Sequence, residues 1–198
     1  MSARGGQIPY PDQAMTTPRP PKPGNRRVTG KEQYYTPADT ARDVMGDLAA
    51  VAGSLAGRTL LEPAGGTGAF IEAAREAGIT SVVSVDIEPH HPEVRHGDFL
   101  AVNLKLTQAV VASNPPFGRN NALSIPFFNR AADMATHIAF IVPRSWRKWS
   151  VINRLDPRFH LASDRDLQIN YVDVDGQPLS GKSVLRTCVQ VWERRPDL

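Results

Sequence analysis

The chain has 198 residues, 41% of them hydrophobic, with 23 Lys and Arg against 20 Asp and Glu, enough material for one domain with a proper core. A single cysteine, Cys188, excludes a disulfide within the chain, and the longest purely apolar run, residues 138–142, is too short for a membrane-spanning helix. The start lacks the apolar stretch of a signal peptide, so a cytoplasmic protein is expected.

Residues 1–30 are rich in proline and carry Arg4, Arg19, Lys22, Arg26 and Arg27 against Asp12. Nearly free of large apolar side chains, they read as a disordered, basic, partly polyproline tail. Such a tail either tethers nucleic acid loosely or serves as a solubilising leader. Further on, Val44, Leu48, Val51 and Leu55 fall at helical spacing.

The run Thr59-Leu60-Leu61-Glu62 leads into Pro63-Ala64-Gly65-Gly66-Thr67-Gly68 and then a helical pattern over residues 71–77. This reads as strand, tight loop and helix, with glycines that allow close backbone approach and a helix N-terminus that adds favourable partial charge. The spacing differs from the dinucleotide G-x-G-x-x-G. A second strand, Ser81-Val82-Val83-Ser84-Val85-Asp86, ends in an acid roughly twenty residues on, where a doubly wound fold places a ribose-binding carboxylate. A turn or N-cap acid is the alternative for Asp86.

Next, Ala109-Val110-Val111-Ala112 runs into Ser113-Asn114-Pro115-Pro116-Phe117-Gly118. Two prolines stop the strand and leave a stiff ledge with one amide, a free carbonyl and one ring. The Asn114 oxygen and the Pro115 carbonyl can accept the two hydrogens of an exocyclic amine while Phe117 stacks on its base. A rigid turn over a buried Phe is the plainer reading.

A helix over residues 124–135 and a strand over 138–142 follow. The segment Pro143-Arg144-Ser145-Trp146-Arg147-Lys148-Trp149-Ser150 then places cations among tryptophans at a strand's carboxyl end. That pattern suits phosphates and unstacked bases, or else a solvated helix start with core tryptophans. A short helix over 150–155, a strand over 159–166, a polar turn over 176–182 and a strand over 184–192 with a buried Cys188 complete the chain. His90, His91 and His96 share a polar loop without metal-ligand spacing and read as solvated; no metal site is expected.

Taken together, Glu62-Pro63-Ala64-Gly65-Gly66-Thr67-Gly68-Ala69-Phe70, Val85-Asp86, Gly97-Asp98-Phe99 and Asn114-Pro115-Pro116-Phe117 resemble the successive motifs of S-adenosylmethionine-dependent N6-adenine methyltransferases. Lys31-Glu32-Gln33-Tyr34-Tyr35-Thr36-Pro37 resembles the family's N-terminal motif, in a γ-like order. The resemblance covers residues 31–198. It implies an α/β, doubly wound, mostly parallel seven-stranded class I methyltransferase (Rossmann-like) fold with an antiparallel final pair.

It also implies roles. Glu62, Gly65, Gly66 and Gly68 would line the cofactor, and Thr36 with Pro37 would close over its amino-acid end. Asp86 would hold the ribose, although the family often has Glu there. Asp98 and Phe99 would meet the cofactor adenine; Asn114, Pro115 and Phe117 would hold the target base. Arg119, Arg144, Arg147 and Lys148 would contact nucleic acid.

Residues 31–198 leave no room for a separate target-recognition domain, so specificity would be low, borrowed from a partner protein, or directed at RNA. The Asn114–Asn121 run resembles small ribosomal-RNA adenine methyltransferases. The Glu62-Pro63 loop and the Pro143–Trp146 segment look more like bacterial and phage DNA enzymes, which favours DNA. Methylation of a protein glutamine and a non-catalytic, cofactor-binding partner subunit are the remaining alternatives.

Overall fold

The computed structural model describes residues 34–179 and 186–196. The basic tail read in residues 1–30, residues 31–33 of the N-terminal motif and the start of the last expected strand lie outside them.

Seven strands form one sheet: β1 (Thr59–Glu62), β2 (Ser81–Asp86), β3 (Val94–His96), β4 (Ala109–Ser113), β5 (Ala135–Pro143), β6 (Phe159–Leu167) and β7 (Thr187–Arg194). Their order is β3-β2-β1-β4-β5-β7-β6. The first five are mutually parallel, and β7 runs antiparallel to both β5 and β6. The expected doubly wound, mostly parallel sheet is therefore present, with its antiparallel final pair.

The layers follow from strand alternation. In β4, Val110 and Ala112 point to one face and Ala109 and Val111 to the other, and all four are fully buried. Burial on both faces is why this run is continuously apolar, as parallel strands under helices require.

On one face lie α1 (Ala38–Ala52) and α2 (Ala69–Glu76), whose Val44, Leu48, Phe70 and Ala74 cover Leu60, Val110, Ala139 and Ile141. On the other, α3 (Ser124–Ala132) brings Phe128 and Ala131 against Val111, Ile138 and Phe140. Trp146 is fully buried there, its indole N–H donating to Ser124 Oγ at 3.1 Å.

Several elements differ from the sequence reading. The helix expected over 124–135 ends at Ala132, because Met134 and Ala135 turn into β5. The strand β3 was not expected; it is three residues long, and only Val94 in it is buried. The short helix read over 150–155 is a single turn, α4 (Trp149–Ile152). Cys188 is buried as expected, its thiol pushed up to about 11 by burial. Among the described residues no helix is long and apolar enough to cross a membrane.

Candidate active site

A cleft opens where β1 and β4 end, lined by Tyr34, Tyr35, Thr36, Glu62, Ala64, Gly65, Gly66, Thr67, Ala69, Phe70 and Asn114. Three separate parts of the chain meet here. The glycine loop follows β1, Asn114 follows β4, and the segment from Tyr34 to Thr36 crosses above.

The loop's glycines are needed first by the protein itself. A side chain on Gly65 would lie 2.1 Å from Ser84 Oγ and 2.8 Å from Val94 Cγ2, so the loop packs directly on β2 and β3. Gly66 has φ +45°, and a Cβ there would come within 2.9 Å of the Tyr35 ring. Gly68 has φ +82° and begins α2, and a Cβ there would meet the His91 ring at 2.5 Å. Left-handed backbone and close approach coincide, which only glycine accommodates.

The expectation of solvated histidines is corrected for His91, while His90 is exposed as expected. His91 lies over Gly68 with Glu72 3.3 Å away, and His90 meets the Tyr35 ring edge-on at 5.7 Å. They cover the loop, because the turn after β2 folds back and the His90 N–H donates to the Gly66 carbonyl at 2.9 Å.

Two carboxylates frame the loop. Asp86 Oδ2 accepts the Gly66 N–H at 2.8 Å and Oδ1 accepts the Glu88 N–H at 2.9 Å. An ionised carboxylate has about four acceptor sites, so two remain for ligand hydroxyls. Glu62 is 1% exposed, and its Oε2 accepts from the Ser84 hydroxyl at 3.1 Å. Burial pushes its carboxyl well above the usual range, against the opposing Ser84 bond and with the nearby Asp86 charge. The sequence marked Glu62 only by its place in a motif; its burial against Ser84 is a structural finding. Tyr35, beside the same acids, is pushed up to about 12 by burial and then by Glu88 and Asp86.

At the other wall Asn114 Nδ2 donates to Thr36 Oγ1 at 3.2 Å. Pro115 is buried, and among the described residues its carbonyl receives no hydrogen bond. The Phe117 carbonyl accepts the N–H groups of Leu123 and Ser124, which turns the chain into α3 and leaves the Phe117 ring half-buried. Asn121, with φ +62°, donates to Ser145 Oγ at 3.2 Å and ties this loop to the one after β5.

Other expected residues stand apart from the cleft lining. Pro37 starts α1 and its carbonyl accepts the Ala41 N–H at 3.0 Å. Asp98 is exposed and accepts the Leu100 N–H at 2.9 Å. Phe99 is 1% exposed, 5.2 Å from the Phe127 ring with Arg130 on its other side.

Of the expected nucleic-acid contacts, Arg144 pairs with Asp166 at 2.8 Å, and Arg147 pairs with Asp166 at 2.8 Å and through Nε with both Asp164 oxygens at 3.0–3.1 Å. Arg119 and Lys148 are exposed and have no ion pair among the described residues. Trp149 beside Lys148 is 76% exposed. Sequence reasoning gave Tyr34 and Tyr35 no role beyond their place in the N-terminal motif and did not single out Tyr171.

The comparisons with known proteins follow the same lines. No protein-family profile matches the chain, and no curated protein is significantly similar in sequence. A protein assigned as an RNA methyltransferase from Pyrococcus horikoshii aligns with 82% of this chain and 88% of its own, with TM-score 0.64 and 19% identity. A modification subunit assigned to a type I restriction enzyme from Vibrio vulnificus YJ016 covers 85% of this chain and 46% of its own, with TM-score 0.58 and 17% identity. Magnesium protoporphyrin IX methyltransferase from Synechocystis PCC 6803, solved with bound S-adenosylmethionine, covers 86% and 89%, with TM-score 0.54 and 13% identity. The chain has the class I S-adenosylmethionine-dependent methyltransferase fold.

Proposed function

We propose that the protein transfers a methyl group from S-adenosylmethionine to the N6 amine of adenine in nucleic acid, with DNA the favoured substrate. The observation that carries this reading is the Asn114 amide at the cleft wall, its nitrogen engaged by Thr36 and its prolyl neighbour's carbonyl unoccupied. Two acceptors, Asn114 Oδ1 and the Pro115 carbonyl, then suit the two hydrogens of a flat exocyclic amine. Drawing on both hydrogens pyramidalises the nitrogen and turns its lone pair toward the methyl donor.

The cleft residues fit the cofactor. Glu62 is a buried acid able to meet an ammonium, and Asp86 retains acceptor capacity for a ribose diol. Gly65, Gly66 and Gly68 hold the loop close, Thr36 and Pro37 border its amino-acid end, and Asp98 with Phe99 would serve its adenine. When bound, the cofactor supplies an electrophilic methyl on sulfonium. The protein's part is positioning and the placement of acceptors.

Lys148 and Arg119 are the phosphate contacts best suited to the task, being exposed and unpaired, with Arg144 and Arg147 behind them. Residues 31–198 act as one catalytic domain in this reading. RNA is the second reading, favoured by the likeness of fold to the Pyrococcus horikoshii protein.

The test is transfer from labelled S-adenosylmethionine to matched single-stranded DNA, duplex DNA and RNA, followed by nucleoside digestion and mass spectrometry. N6-methyladenine in one pool is the expected product. Its absence from all three, with cofactor binding intact, would overturn the reading.

A further inference from the structure

We propose that Tyr171 is a positioning residue for the Asn114 amide: its hydroxyl takes the second Nδ2 hydrogen and leaves Oδ1 turned toward the target amine. The inference rests on the reading of Asn114 given above.

Tyr171 lies in the connection between β6 and β7 and is 8% exposed. Its hydroxyl is fully buried and completes no hydrogen bond. Buried hydroxyls are nearly always paired, so this orphan calls for a reason. The orphan is also held firmly in place. Tyr35 and Val172 exchange backbone hydrogen bonds of 3.0 and 3.2 Å, and the Leu179 N–H donates to the Tyr171 carbonyl at 2.9 Å. The Tyr34 ring meets the Tyr171 ring edge-on at 5.3 Å.

This bracing fixes the phenol against the same short segment that carries Thr36, and Thr36 already receives one hydrogen from Asn114. Burial raises the phenol's pKa, and the adjacent Asn114 amide opposes that rise, as a donor facing the phenol oxygen does. An amide nitrogen has two hydrogens and its oxygen has none. With Thr36 on one hydrogen and Tyr171 on the other, the carbonyl oxygen is the end left to the cleft. Hydrogen bonds around a reacting group are often long before substrate arrives and tighten in the complex, so a small movement of the amide closes this one.

Tyr171→Phe tests the idea because it keeps the ring and its contact with Tyr34 and removes a single oxygen. We expect S-adenosylhomocysteine affinity, melting temperature and KM for an adenine-containing single-stranded oligodeoxynucleotide to stay within about twofold or a degree or two of wild type. The value of kcat should fall about tenfold, the size of one lost hydrogen bond to a reacting group.

A readout independent of turnover is the Asn114 side-chain NH₂ pair in ¹H–¹⁵N spectra of the complex with S-adenosylhomocysteine, assigned by its loss in Asn114→Ala. One of its two protons should lose protection from solvent exchange in Tyr171→Phe. An unchanged kcat or an unchanged Asn114 signal overturns the proposal. Asn114→Ala run in the same assay separates the two levels. If it keeps full activity, the reading of the site itself falls; if it is inactive while Tyr171→Phe matches wild type, only the role of Tyr171 falls.

Discussion

Asn114 and Thr36 are joined side chain to side chain at 3.2 Å, so the ledge after β4 and the segment above the cleft are one mechanical unit. Thr36→Val keeps the shape and removes the acceptor, which frees the amide to rotate. Single-turnover methyl transfer should slow about tenfold, while Thr36→Ser should stay within about threefold of wild type. Equal rates in the valine and serine variants would show that the hydroxyl has no part in the reaction.

Glu62 makes a prediction about stability. Its carboxyl is held well above the usual range by burial, so the folded protein keeps a proton that the unfolded chain has released. The unfolded state then binds fewer protons, and stability falls as pH rises from the ordinary Glu range toward the folded-state value, by up to ~1.4 kcal/mol per pH unit. Glu62→Gln cannot ionise and should remove that slope. Urea unfolding of both proteins at about pH 5 and about pH 8 reads the difference, and parallel pH dependence would refute it.

The glycine loop can be probed without any substrate. In Gly65→Ala the new methyl would collide with Ser84 Oγ and Val94, two residues of neighbouring strands that cannot swing aside. The expected loss is ~2–3 kcal/mol in chemical denaturation. Gly66→Ala meets the edge of the Tyr35 ring instead, so its effect should be greater on S-adenosylhomocysteine binding than on stability. Wild-type melting of Gly65→Ala would contradict the packing described for this loop.

Charge reversal should sort the basic residues by their pairing. Lys148→Glu and Arg119→Glu should each weaken nucleic-acid binding and lower the salt dependence by about one unit of slope. Arg147→Glu should instead cost stability, because it removes a cation shared by Asp164 and Asp166 and sets a third negative charge beside them. Trp149 offers a direct signal. Trp146 and Trp192 are buried, so fluorescence quenching on oligonucleotide addition should vanish in Trp149→Phe. Quenching that survives would place the bound strand elsewhere.

Most of what arranges the site could be read from local patterns. The apolar runs of β1 and β4 lead directly into Glu62 and Asn114, which line the cleft, and that of β2 ends in Asp86, which accepts the Gly66 N–H of the loop. Long-range pairing was the hidden part. The Tyr35–Val172 bridge is a single ladder step in an otherwise irregular stretch, too short to impose any periodicity. The pairing of Arg144 and Arg147 was half visible. Asp164 and Asp166 alternate on one face of β6, but only the β6–β7 register, with Asp164 opposite Gln190, brings that face under the loop after β5. The motif Gly97-Asp98-Phe99 marks Phe99 for the cofactor adenine, but its packing partner lies almost thirty residues on and leaves no local pattern. The helix α3 instead supplies Phe127, and the side chain goes to the core.

The Tyr35–Val172 bridge also sets an order of events during synthesis. The glycine loop, Asp86 and Asn114 all emerge from the ribosome well before Val172. Until that residue is available, the backbone pair that braces the segment carrying Tyr35 and Thr36 is missing. A nascent chain would thus have the floor of the cleft without its roof. Ribosome-bound chains stalled before Tyr171 should bind S-adenosylhomocysteine far more weakly than chains stalled beyond β7, which makes ligand capture a late checkpoint on completed folding.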